Sequence, residues 1–248
     1  MAQHAFAEGE TGPPWRLAAE VRAALGLGCS GSKALLRGSL ASGTADAFSD
    51  VDVEWIVPDA KFAACLTRAP EVLAAVRPVA SVWVDPEFAH SDRRRLLRVR
   101  FAKVPLFWWL DLSVRAASVA SDPDYDVGNP AARAAEGEWS RPAGALADAV
   151  AVVKAAARGR PEEARGLLDR ALARIGEPQS VGGSWAGEIA RLARAAVRRE
   201  PELASPAAEV ESLAARLLGA GTPAPPPLPA GSVPASPPAV PPGGSPAG

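Results

Sequence analysis

Two carboxylates, two residues apart at the head of an apolar run, constrain this chain more than any other feature. They are Asp50 and Asp52 in Ser49-Asp50-Val51-Asp52-Val53. In a strand, positions i and i+2 share a face, so both acids would leave one side of a sheet. Neighbouring carboxylates repel, and burying them unpaired is costly. A divalent cation is the usual resolution. All-oxygen ligands suit Mg²⁺, and Mg²⁺ on clustered carboxylates points to phosphate chemistry. A lone Asp-x-Asp decorates many solvated turns. Here Val51, Val53, Ile56 and Val57 bury at least one face of the strand.

Upstream, Ala34-Leu35-Leu36-Arg37 reads as a short buried strand running into Gly38-Ser39. Glycine lets backbone N–H groups approach an anion, and a serine hydroxyl adds a donor. No Gly-Lys-Ser/Thr follows, so this turn is not a P-loop. Ser49 is placed to bond backbone or to orient a carboxylate. A third acid is expected where two cations bridge phosphates, and Asp111 is the best candidate. It lies in the apolar run Trp109-Leu110-Asp111-Leu112, where an unpartnered charge is costly. The competing account of Asp111 is a sheet-edge acid bonded to backbone or paired with Arg115. Asp85 is a weaker candidate because Pro86 marks a turn. Glu54 shares the Asp50/Asp52 face by alternation, either extending the acidic cluster or pointing to solvent.

The chain has 248 residues, but from about Gly221 it is mostly Pro, Ala, Gly and Ser, with no charge and almost no large apolar residue. Such a stretch cannot bury enough surface to offset its ordering entropy. The expectation is a disordered tail over 221–248, and loose residues over 1–12. Pro13-Pro14 open a helix carrying Leu17, Val21 and Leu25 on one stripe. Strands are expected at Val51–Val57, Val79–Val84, Leu96–Val104 and Leu106–Ala116. Between the first two, Asp59 caps a helix through Val76 that Pro70 breaks or restarts. Linker signals fill 118–144. Helical patterns follow at 145–157, 162–175, 184–199 and 206–218. The fold class is therefore α+β: a small mixed sheet with flanking helices over 13–117, then a helical bundle over 145–220.

Net charge is −1, so no global basic field steers the chain to nucleic acid. No apolar run reaches the length of a membrane span, and no basic-then-apolar leader opens the chain. A cytoplasmic protein without a membrane partner is the expectation. Cys29 and Cys65 match no metal spacing, and each reads as a buried reduced thiol. His4 and His90 are isolated. Arg93-Arg94-Arg95, Arg98 and Arg100 read as a solvated basic hairpin, with Arg98 and Arg100 on one face. Most tryptophans read as core, although Trp109 shares the face of Asp111.

The run from Gly38-Ser39 to Asp50-Val51-Asp52, followed by the apolar-acid-apolar strand at Asp111, resembles the nucleotidyltransferase superfamily of the polymerase-beta type. The segment is most similar to its aminoglycoside-nucleotidyltransferase branch. The match covers roughly 34–57 and 107–114, and a helical second domain is similar to the same branch. One departure is Val53-Glu54-Trp55, where the family continues with apolar residues. The resemblance implies that Asp50, Asp52 and Asp111 hold two Mg²⁺ ions, and that Gly38 and Ser39 hold the β- and γ-phosphates. It implies Lys154 as a helical-domain lysine reaching the triphosphate; the plain alternative is a snorkelling surface lysine. It implies transfer of NMP, with AMP from ATP the first expectation, to a hydroxyl of a small molecule, with release of pyrophosphate. A module that binds nucleotide without turnover is the alternative. The branch also brings a carboxylate from its helical domain; Asp148 and Glu136 stand in that region.

Overall fold

The computed structural model describes residues 14–180, 182–219 and 223–224. The expectations for 1–12 and for most of the 221–248 tail lie outside the described residues. The first helix, α1 (Pro14–Gly28), buries Leu17, Val21 and Leu25 as one stripe, the i, i+4, i+8 spacing of a helix face. Strand β1 (Lys33–Leu36) leads directly into a five-residue helix, α2 (Gly38–Ser42). The expected turn at Gly38-Ser39 is thus the first turn of α2. Strand β2 (Val51–Val57) follows, and then α3 (Phe62–Ala74).

Two expectations for this region are corrected. Asp59 is not the cap of α3: it sits inside a 3-10 turn (Asp59–Lys61), and its carboxylate accepts from the Ser118 N–H at 3.0 Å. Pro70 lies within α3 without breaking it.

Strands β3 (Val79–Val84), β4 (Arg94–Phe101) and β5 (Leu110–Ala116) complete a sheet ordered β1-β2-β5-β4-β3. Strand β2 pairs with β5 in parallel and the other pairings are antiparallel. Strand β4 ends three residues early because Lys103 turns the chain with φ of 59°. Strand β5 begins four residues late. The Trp108 N–H donates to the Pro105 carbonyl at 2.9 Å, so Phe107 and Trp108 form a buried turn rather than extended chain. Burying two aromatics there contributes about 2–3 kcal/mol each and anchors the turn without ladder hydrogen bonds.

The helical half consists of α4 (Arg141–Ala157), α5 (Pro161–Arg174), α6 (Trp185–Arg199) and α7 (Ala204–Leu218). Helix α4 starts earlier than its apolar pattern suggests. Ser140 caps it, its hydroxyl accepting from the Ala143 N–H at 2.8 Å, and Pro142 occupies the first turn. A two-residue ladder joins β6 (Gly183–Ser184) to β7 (Pro223–Ala224). Helix α4 packs against α5, α6 and α7. Side chains from the sheet and from these helices form one connected apolar core, so the helices lie against the sheet. Among the described residues, no helix is long and apolar enough to cross a membrane.

Cys29 and Cys65 are buried free thiols, as expected, with their sulfurs 2.6 Å apart. Burial and the Cys29 sulfur push the Cys65 thiol up to about 12. His90 is not isolated: its Nε2 lies 2.7 Å from a Glu138 carboxylate oxygen.

Candidate active site

The chain reverses between β1 and β2 at Gly38, and the reversal is built around Asp52. The Arg37 N–H donates to the Asp52 carbonyl at 2.9 Å. Gly38 has φ of +56°, and a Cβ added there would meet the Asp52 carboxylate oxygen at 2.1 Å. Only glycine serves here, for conformation and for space alike. The start of α2 therefore lies directly against the carboxylate of Asp52. Ser39 sits in its first turn, and its carbonyl accepts from the Thr44 N–H at 2.9 Å.

Asp52 stands opposite Asp111 in the parallel register of β2 and β5, at the close spacing of adjacent strands. Burial, and then the charge of Asp111, push the Asp52 carboxyl above its ordinary value. That is the response of a buried acid beside a second acid. Asp111 is paired, but with Arg98 rather than Arg115: the Arg98 Nε donates to it at 2.9 Å, from the position opposite on β4. Arg115 is buried and turned to the carbonyl oxygens of Val119 and Asp122.

Asp50 precedes β2 and forms an ion pair with Lys154 of α4. Lys154 is buried rather than snorkelling. Burial pulls its pKa down to about 7, Arg158 adds to the effect, and Asp46 opposes it. The contact with Asp50 also favours the charged amine. Ser49 is buried and bonded to the turn itself, its hydroxyl donating to Asp46 at 2.9 Å and accepting from the Asp46 N–H at 2.9 Å. Asp46 in turn takes a forked pair from Arg158, at 2.8 and 2.6 Å. Those bonds hold its carboxyl down at about 2. The fork ties the turn before β2 to the end of α4.

Asp50 lies on the wall between two cavities. One, of about 390 Å³, is lined by Ser39, Thr44, Ser49, Asp52, Arg158 and Arg160 with Asp46 and Asp50. The other, of about 240 Å³, is lined by Arg98, Trp109, Asp111, Asp148 and Lys154 with Asp50. Asp148, on α4, is pushed up by burial and held by Arg174 at 3.2 Å. Glu136 does not reach either cavity; it is exposed and paired with Arg141 at 2.8 Å.

Glu54 joins neither the acidic cluster nor solvent. Its carboxylate is buried and paired with Arg37, with Arg115 3.9 Å away. The basic hairpin is solvated only in part: Arg93 is exposed, but the face of Arg98 and Arg100 is not. Arg98 serves Asp111, and Arg100 pairs with Glu209 of α7 at 2.7 Å. Asp46, Arg98 and Arg158 carried no local sequence signal of a site. Alternation on β4 placed Arg98 and Arg100 on one face, but not which carboxylates they meet.

Among the described residues, no three acidic, histidine or cysteine side chains converge as a ready metal cage. Comparison of the chain with protein-family models, with curated proteins and with solved structures returns no match in any of the three.

Proposed function

We propose that the protein is a Mg²⁺-dependent nucleotidyltransferase. It moves a nucleoside monophosphate, AMP from ATP in the first instance, to a hydroxyl of a small molecule and releases pyrophosphate. One observation carries this reading: Asp52 and Asp111 face each other across β2 and β5, with Asp50 beside them between two polar cavities.

The donor set fits a hard cation. Carboxylate oxygens are the donors such a cation takes, the Asp52 carboxyl faces its acidic neighbour, and a cation bound here would replace Lys154 at Asp50 and Arg98 at Asp111. Asp50, Asp52 and Asp111 would hold Mg²⁺, which when bound supplies charge neutralisation and alignment of the transferring phosphoryl group. The chain's own groups do the rest. Ser39, in the first turn of α2, lines the larger cavity and would donate to phosphate. Arg158 and Arg160 add positive charge to its rim. The acceptor hydroxyl approaches from the smaller cavity, where Asp111 takes its proton and Asp148 orients it. The new bond forms between that oxygen and the α-phosphorus. The bond from the α-phosphorus to the bridging oxygen breaks, and pyrophosphate leaves with the electron pair. Positioning and charge stabilisation provide most of the rate.

The test is calorimetric titration of wild type and Asp52→Asn with Mg·ATP. Binding by wild type and loss in the variant, with both folded, is the expected result. Absence of binding to folded wild type refutes the reading. A second reading, nucleotide binding without turnover, is favoured by the ion pairs that occupy Asp50 and Asp111. Bound Mg·ATP with no acceptor-dependent pyrophosphate release would select it.

A further inference from the structure

Trp109 also borders a third cavity, of about 220 Å³. It shares Trp109 and Ala147 with the acidic cavity. Its walls are Trp83 from β3, Leu106 and Trp109 from the segment before β5, and Leu146, Leu203 and Val210 from the helical half. Among the described residues the only charged side chain on the wall is Arg100, already matched by Glu209 at 2.7 Å. None of the described carboxylates lines it. A polycationic amino sugar would find nothing there to offset its desolvated charge.

The two cavities are joined chemically as well as in space. Arg98 lies between the two indoles, its guanidinium carbon 5.7 Å from the Trp83 ring and 5.8 Å from the Trp109 ring. The same guanidinium donates to Asp111. Arg98 thus links the candidate catalytic carboxylate to the two indoles that wall the apolar chamber. The Trp109 Nε1 is buried and has no hydrogen-bond partner among the described residues.

We propose that this chamber holds the apolar body of the acceptor, an uncharged ring-bearing alcohol whose hydroxyl reaches Asp111 past Trp109. The proposal rests on the nucleotidyltransferase reading for its chemistry, and on the cavity alone for its ligand class. Apolar walls with a few convergent polar groups are the usual make-up of a small-molecule site.

The test uses the full chain and a neutral fluorophore, N-phenyl-1-naphthylamine. Wild type should bind it saturably and with enhanced emission. Leu203→Lys places a charge in the wall, and Ala143→Phe fills the chamber from α4. Both positions are half-exposed, and circular dichroism verifies the fold of each variant. Each should weaken the fluorophore at least tenfold. In parallel, a panel of neutral aryl and alicyclic alcohols and of polycationic amino sugars is screened for Mg·ATP-dependent pyrophosphate release. Release with the neutral alcohols supports the proposal. No saturable binding to wild type, equal binding to both folded variants, or release with amino sugars alone overturns it. A wild type that binds the fluorophore variant-sensitively but not Mg·ATP would sink the nucleotidyltransferase reading while leaving the ligand site standing.

Discussion

Replacing Gly38 by alanine tests whether the start of α2 is shaped around the carboxylate of Asp52. Two costs are separable. An L-residue held at φ of +56° pays about 1–2 kcal/mol for the left-handed conformation. The new Cβ would also meet the Asp52 oxygen at 2.1 Å, well inside the 3.0 Å that such contacts respect. Swinging the carboxylate off its rotamer to make room costs about 0.5–1.5 kcal/mol more. Gly43 supplies the control. It has φ of +71° but nothing within 4 Å of an added Cβ, so Gly43→Ala carries the backbone cost alone.

Urea denaturation should therefore show Gly38→Ala losing about 2–3 kcal/mol and Gly43→Ala about 1–2 kcal/mol. In an Asp52→Ala background the oxygen is gone and the nearest Asp52 atom to the added Cβ is its own Cβ, at 3.4 Å, an ordinary contact. The double-mutant cycle should then report a coupling of about 1 kcal/mol. Gly38→Ala should also abolish Mg·ATP binding in calorimetry, because the displaced carboxylate is a ligand in the proposed site. Equal losses at the two glycines, with no coupling to Asp52, would falsify the argument.

Arg158→Ala should cost about 1 kcal/mol at pH 7, the full shift of Asp46 from 3.8 to about 2 being discounted because that carboxylate is largely exposed. Because the folded value is depressed, the stability it adds is present above 3.8 and fades toward 2, so the gap between variant and wild type should close over that range in urea titrations. Glu54→Gln should cost more, about 3 kcal/mol, since it strips a buried anion from beside buried Arg115; a change below about 0.5 kcal/mol, the size of a neutral surface substitution, would contradict that pairing. Asp52→Asn should behave in the opposite way. Its raised carboxyl penalises the folded state at neutral pH, and the penalty lifts as pH falls through the folded value. In Mg²⁺-free buffer this variant should melt at or above the wild-type temperature, and a clear drop would show that Asp52 is a stabilising acid instead.

What the sequence made legible is what a single strand carries. The alternation through Asp50-Val51-Asp52-Val53 placed the acids on one face, and the apolar run around Asp111 placed a third acid on a strand of its own. Their meeting depends on β2 and β5 pairing in parallel with Asp52 opposite Asp111, a register that follows from topology rather than from either segment. Boundaries failed where tertiary packing overrode local pattern. Phe107 and Trp108 look like strand by composition, yet they fill the core from a turn. Pro70 looks like a stop, yet α3 runs through it.

The cations are the part no local pattern could reveal, and they explain the difference between Glu54 and its neighbours. Asp46 meets Arg158 across 112 positions, and Arg100 meets Glu209 across 109. Lys154 reaches Asp50 from the same helix as Asp148. Arginine is so abundant in this composition that no single one stands out, and only the packing selects Arg158; Lys154 was already named by the resemblance, and the packing adds its partner Asp50. Glu54 repeats the spacing of Asp50 and Asp52, but it is enclosed by Arg37 and Arg115 away from both cavities. Its acid serves the fold. Asp50 and Asp111 keep their cations at a cavity wall, where a bound metal could displace them, and Asp52 has a raised carboxyl and a neighbouring acid instead. Of the acids at this spacing, only Asp52 faces another acid across a strand pair and lines a cavity without a cation of its own, and that geometry is the ground for proposing the chemistry there.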